Sequence, residues 1–137
     1  MSKLSSIALE WVGTPWIHNQ STKHLGCDCV GFLIGIGRES GIIPKDFSVP
    51  NYPRIPRFNS IINTLETIKS LYNVQSPYDI DDILVINYGQ LVCHVALYLG
   101  NDKIIHADNL HGVHITAINF YKDKIAAIYR IKKEWLQ

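Results

Sequence analysis

The sequence predicts an α+β domain in which N-terminal helices pack on a C-terminal antiparallel β-sheet. Three observations carry this. Apolar residues recur at helical spacing through much of the first 72 positions, and beyond Pro77 the texture changes to short β-branched runs separated by turn residues. The third is size: 137 residues, 47% apolar and 18% charged, are enough to bury one core without staples. The whole chain, 1–137, reads as a single domain with no internal repeat and no low-complexity block.

Leu4, Ile7, Ala8 and Trp11 fall at i, i+3, i+4 and i+7, predicting a short helix over 3–11 that Gly13 and Pro15 end. GTPWIHNQSTKHLG follows as a polar loop. Residues 29–39 have helical length, with Phe32, Leu33 and Ile36 on one side and Gly41 as the stop. Gly31, Gly35 and Gly37 inside it cost about 1 kcal/mol each relative to alanine. Close packing of the helix backbone against the sheet is the expected compensation. Pro44, Pro50, Pro53 and Pro56, among Phe47, Tyr52 and Phe58, make 41–58 a long surface loop. Ile61, Leu65, Ile68 and Tyr72 predict a second amphipathic helix over 59–72, capped by Asn59 or Ser60. The runs ILVIN (83–87), VCHVALYL (92–99), KIIHA (103–107), VHITAI (113–118) and IAAIYRI (125–131) then predict the strands of a meander. They are punctuated by YGQ, GND, DNLHG and KDK.

Thirteen basic against twelve acidic residues, with no dense Lys/Arg run, argue against a nucleic-acid footprint or a polybasic membrane anchor. No segment approaches the roughly 18 apolar residues of a membrane span. The amino end, MSKLSSIALEWVG, lacks the apolar core of a secretory signal, so synthesis in the cytoplasm is the expectation. Cys27, Cys29 and Cys93 are too few and odd in number for a disulfide framework and read as reduced thiols.

Asp28 is an N-cap candidate, which places Cys29 at a helix start, where the unpaired N–H groups favour an anion. A thiol there is expected to ionise more easily. Alternation in VCHVALYL puts Val92, His94, Ala96 and Tyr98 on one face and Cys93, Val95, Leu97 and Leu99 on the other, which is the core face. His94 then stands in mid-sheet on the more mixed face. The GND turn brings KIIHA back beside that strand and sets His106 near His94. A cysteine, a base and an orienting group are the parts of a cysteine triad, and Asp108 is an alternative orienting group if its strand is bulged. His18 and His24 precede Cys29 in the loop, and His111 and His114 flank a later turn. The same residue types leave a zinc site of Cys27, Cys29, Cys93 and His94 open, although C-x-C lacks the usual spacers.

GTPW, HLGCDCVGF, DDILVINYGQLVCHVALYLGNDKIIHA and the closing AAIYRI, in order over nearly the whole chain, resemble the NlpC-type cell-wall cysteine peptidases. The compact version encoded in phage and gene-transfer-agent tail clusters is the most similar. The resemblance implies a papain-like α+β fold with Cys29 as nucleophile, His94 as base and His106 as orienting residue. It also implies a substrate, the peptide stems of peptidoglycan, cut between D-glutamate and a diamino acid. Trp16, Asp28 and His18 are the candidates for the substrate and oxyanion region; the family usually has Tyr where this chain has Trp16, whose indole offers only an N–H donor. No cofactor or metal is expected. The partners it implies are stem peptides and proteins of a tail-like particle, with release to the cell wall by lysis or carriage. Two other readings share the fold: a noncatalytic tail-like binding or assembly module, and an acyltransferase or amidase using the same thiol chemistry.

Overall fold

The computed structural model describes residues 2–49, 52–54, 56–89 and 92–136. Helix α1 (Lys3–Glu10) opens on Ser2, whose hydroxyl accepts the Ser5 N–H. A two-stranded ribbon, β1 (Ser21–Thr22) with β2 (Gly26–Cys27), then leads directly into α2 (Cys29–Ser40). Asp28 caps α2 by accepting the Gly31 N–H at 2.7 Å, and Gly41 ends it in the left-handed region at φ +84°. Both helices lie where the apolar spacing puts them.

The second predicted amphipathic helix is shorter. Helix α3 spans Phe58–Glu66, and the chain then tightens through Thr67 and Ile68 into β3 (Leu71–Val74). The cap position is Arg57, with Ser60 Oγ accepting the Arg57 N–H at 3.3 Å, rather than Asn59 or Ser60. Ile68 and Leu71 are buried. An i, i+3 pair reaches the core equally from a helix and from a turn entering a strand, so periodicity alone does not separate the two. Strand pairing decides it: Leu71–Val74 supplies the antiparallel partner of the last strand.

The remaining strands are β4 (Ile83–Gly89), β5 (Val92–Gly100), β6 (Lys103–Asp108), β7 (Gly112–Ala117) and β8 (Ile125–Ile131). The YGQ punctuation runs into residues outside those described. Strands β4 to β7 form the expected meander, and Asn101 and Asp102 turn the β5–β6 hairpin at positive φ. β8 departs from it by crossing back between β3 and β4, giving the order β3-β8-β4-β5-β6-β7. Helix α2 and the proline-rich segment cover one face over Cys93, Val95, Leu97, Ile105 and Ala107. The other face is not merely mixed: Leu84, Ile86, Ala96, Ile104, Ile118 and Ile128 form a second apolar cluster there. Among the described residues no helix is long and apolar enough to cross a membrane.

One break in the sheet positions the site. β5 and β6 share only the pairs Leu97↔Ile105, Tyr98↔Ile104 and Gly100↔Lys103. Both strands continue beyond Leu97 and Ile105, β5 on β4 and β6 on β7, but they part from each other. Tyr98 N–H donates to Asp82 O on the β4 side. The two-residue alternation therefore turns the N–H groups of Val95 and Cys93 into the gap. Cys93 N–H donates to Pro56 O at 3.0 Å, which ties the proline-rich segment over the opening.

The glycines of α2 pack closely, though not against the large sheet as expected. A Cβ on Gly35 would meet the ring of Trp11 just past α1, one on Gly37 would meet Ile43, and one on Gly31 would fall on the Gln20 carbonyl oxygen. Ser21 Oγ donates to Gly31 O at 2.6 Å, pinning the β1 side of the ribbon to the first turn of α2. The Gly31→Ala variant is expected to lose about 1–3 kcal/mol of stability by overpacking against backbone that has no room to move. Urea denaturation checks this: the midpoint drops while the slope is unchanged, and an unaltered midpoint contradicts the packing described.

Candidate active site

Helix α2 delivers Cys29 to the gap between β5 and β6. The thiol is 4% exposed, and the backbone N–H groups of Val95, Val30 and Cys29 itself favour its anion. Burial pushes the thiol up to about 12, and these N–H groups offset only part of that. The expected easier ionisation at the helix start is therefore overturned: desolvation of a fully enclosed sulfur outweighs the anion-favouring helix end. Cys27 and Cys93 are likewise buried thiols in the same apolar cluster, while His94 turns to the opposite face of β5.

His94 and His106 meet as the hairpin predicts. His94 Nε2 and His106 Nδ1 are 2.7 Å apart, and His106 Nε2 lies 3.0 Å from Thr116 Oγ1 on β7. With Nε2 of His94 engaged, Nδ1 is its free nitrogen. If that nitrogen is to accept a proton, Nε2–H donates to His106 and Nε2–H of His106 donates to Thr116, a single consistent set of tautomers. Both rings are buried, His94 at 5% exposure and His106 at 0%. Burial first, and the neighbouring imidazoles second, lower His94 to about 3 and His106 to about 4. Burial thus favours the neutral form of the thiol and of both imidazoles at rest.

Cys29 and His94 line one cleft of about 160 Å³ with Trp16, Asp28, Arg54, Pro56, Tyr88, Cys93 and Asn109. Trp16 forms its wall, with the Arg54 guanidinium 4.8 Å above the indole centroid. Tyr88 stacks on His94, ring centroids 5.1 Å apart. Asp28 is 3% exposed and fully engaged. Besides capping α2, it accepts the Asn19 N–H at 2.8 Å and the Tyr52 hydroxyl at 2.6 Å. Its carboxylate clamps the pre-Cys29 loop and the proline-rich segment to the helix start. His18 stands behind Trp16, its Nδ1 3.7 Å from Asp28 Oδ2 and its ring packed on Trp16 and Tyr52. Asp108 does not orient His94; its carboxylate bonds His114 Nε2 at 2.6 Å and the N–H groups of Leu110 and His111. A larger hollow of about 300 Å³ between the proline-rich segment and α3 is lined by Phe47, Val49, Tyr52, Ser60 and Thr64 and brings no cysteine, histidine or carboxylate to its walls.

Thr116, Tyr88, Tyr52 and Arg54 escaped the sequence reading. Thr116 alone left a signal, since alternation in VHITAI sets it on the same face as His114. The other three depend on where a proline-rich segment and a strand end come to rest, which spacing does not encode.

The NlpC/P60 family model matches residues 13–130. No curated protein matches the chain. Among solved structures, the chain is similar to the NlpC/p60 domain of the peptidoglycan hydrolase SagA at 18% identity and TM-score 0.61, covering 94% of this chain and 95% of that one. An NlpC/P60 family protein from Bacillus cereus gives 22% identity and TM-score 0.66 over 98% of this chain but only 39% of its own length. RipD from Mycobacterium tuberculosis, described as a non-catalytic NlpC/p60 domain protein adapted to peptidoglycan binding, gives 13% identity and TM-score 0.61, covering 95% and 94%.

The buried imidazoles have a measurable consequence. In the unfolded chain they protonate near 6.5, whereas the folded state resists protonation until about 4 for His106 and about 3 for His94. The stability they contribute is full above pH 6.5 and declines as pH falls toward 4, because the unfolded state then binds more protons. For Asp108, burial alone raises the carboxyl, but the His111 N–H and the His114 imidazole hold it at about 2, so its loss begins only below 3.8. Denaturation free energy is expected to fall by roughly 2 kcal/mol or more between pH 7 and 4.5. The His94→Gln, His106→Gln double variant should flatten that slope, and an unchanged slope contradicts the assignment.

Proposed function

For a chain that belongs to the NlpC/P60 family, we propose cysteine-peptidase activity on peptidoglycan stem peptides, at the bond between D-glutamate and a diamino acid. The observation that carries this is the hydrogen-bonded line from His94 through His106 to Thr116, ending in the cleft that holds Cys29. RipD has the same fold without catalysis, so fold alone does not make the case and the constellation must.

His94 Nδ1 takes the Sγ proton as the sulfur attacks the scissile carbonyl carbon, so charge develops on both groups only at attack. The Cys29 N–H, one of those that favour the sulfur's anion, is placed to donate to the new oxyanion. His94 returns the proton to the departing amine, leaving a thioester on Cys29. Water, deprotonated by His94, attacks the thioester carbonyl, and the thiol leaves with the proton restored. His106 and Thr116 hold His94 in the tautomer that exposes Nδ1. Trp16 serves as cleft wall where the family usually has a tyrosine. Arg54 above it sets a positive charge at the rim, suited to the carboxylates of a stem peptide.

Incubation of defined muropeptides, read by mass spectrometry, tests this. Wild type is expected to release fragments cut after D-glutamate and Cys29→Ala to release none, with His94→Ala reduced on the order of 10²–10⁴-fold. Thr116→Val is expected to lower kcat while leaving KM near the wild-type value. Undiminished cleavage by Cys29→Ala refutes the proposal; intact muropeptides bound by wild type favour the noncatalytic reading.

A further inference from the structure

The hairpin that carries His106 holds more chemistry than orientation of His94 requires. His106, Asp108 and His114 each offer a ligand atom, all within 4.8 Å of one another. His111 Nδ1 lies 3.2 Å from Asp108 Oδ1 and 3.4 Å from Oδ2. Asp108 Oδ1 already accepts the turn N–H groups of Leu110 and His111, so Oδ2 and the two later imidazoles are surplus to the turn. The His114 ring stacks on His106 at 4.8 Å, cross-strand partners in the β6–β7 register. The cluster opens to solvent on the His111 side, where that side chain is 60% exposed.

Two imidazoles and a carboxylate match the donor preferences of zinc and its borderline neighbours, and His111, against Asp108 and His114 on the open side, stands where a fourth tetrahedral ligand would complete the set. We propose that His106, Asp108, His111 and His114 form a binding site for a zinc-class divalent ion. The sequence reading expected no metal, and this site lies outside the four residues it weighed for zinc. Both nitrogens of His106 are otherwise committed, one to His94 and one to Thr116. Coordination at Nδ1 breaks the bond to His94, and coordination at Nε2 displaces Thr116 and leaves the His106 proton on Nδ1, which forces His94 into the tautomer protonated at Nδ1; by either route the bound ion acts as a reversible inhibitor. That last step rests on the peptidase reading; the binding itself does not.

Zinc sulfate titrated into the full chain, followed by calorimetry and by ¹⁵N spectra of the histidine rings, tests the site without using catalysis. Expected are one zinc per chain, shifts of the His106, His111 and His114 resonances with those of His24 unmoved, and binding weakened at least about tenfold in His111→Ala and further in His114→Ala. His111→Ala should cleave at the wild-type rate in the absence of zinc and should need correspondingly more zinc for inhibition. Sub-stoichiometric binding, or binding unaltered by both substitutions and lost in Cys29→Ser, overturns the site. Zinc bound as expected to a chain that cleaves no muropeptide leaves the site standing and removes the peptidase reading. Zinc bound with cleavage unaffected overturns the inhibitory role.

Discussion

The parting of β5 from β6 beyond Leu97 and Ile105 is the constraint on which the site depends. A strand N–H left unpaired in a protein interior is costly, and β5 has two of them where it parts from β6. The Cys93 N–H donates to the carbonyl of Pro56, and the Val95 N–H is turned into the gap where α2 begins. The helix start and the proline-rich segment thus substitute for a missing stretch of strand. The same parting leaves room for the His94 and His106 rings to meet on the far face of the sheet. Restoring regular β5–β6 pairing would expel Cys29 from its place.

Enclosure has an electrostatic consequence that organises the chemistry. The sulfur is too desolvated to rest as a thiolate, and the imidazoles are too desolvated to rest protonated. Burial thus keeps charge off both groups at rest. The two carboxylates nearby are each hydrogen-bonded elsewhere. Asp28 joins loop, helix and proline-rich segment, and Asp108 organises the β6–β7 turn and its histidines. Neither carboxylate is a hydrogen-bond partner of His94 among the described residues.

Much of this was legible in the sequence. Asp28 and Gly41 mark the ends of α2 by capping chemistry that needs no tertiary information, and period-two alternation with the GND turn brings His94 and His106 together. What escaped has physical reasons. The span 67–74 carries apolar residues at a spacing shared by helix and turn, and only the return of β8 selects a strand there. The direction of the Cys29 shift was misread because a helix end is visible in sequence while the depth of burial around it is not. The α2 glycines signalled close packing, but their partners, Gln20, Trp11 and Ile43, come from segments whose approach the sequence does not specify.

The neutral thiol–imidazole pair is the central claim, and the pH dependence of Cys29 alkylation addresses it most directly. Folded protein is treated with a small haloacetamide from pH 5 to 10, and modification at Cys29 is quantified by peptide mass spectrometry. A thiol raised by burial predicts a rate that is low at neutral pH and keeps climbing above pH 9. A flat, rapid plateau between pH 5 and 8 would instead reveal a resting thiolate–imidazolium pair and contradict the account.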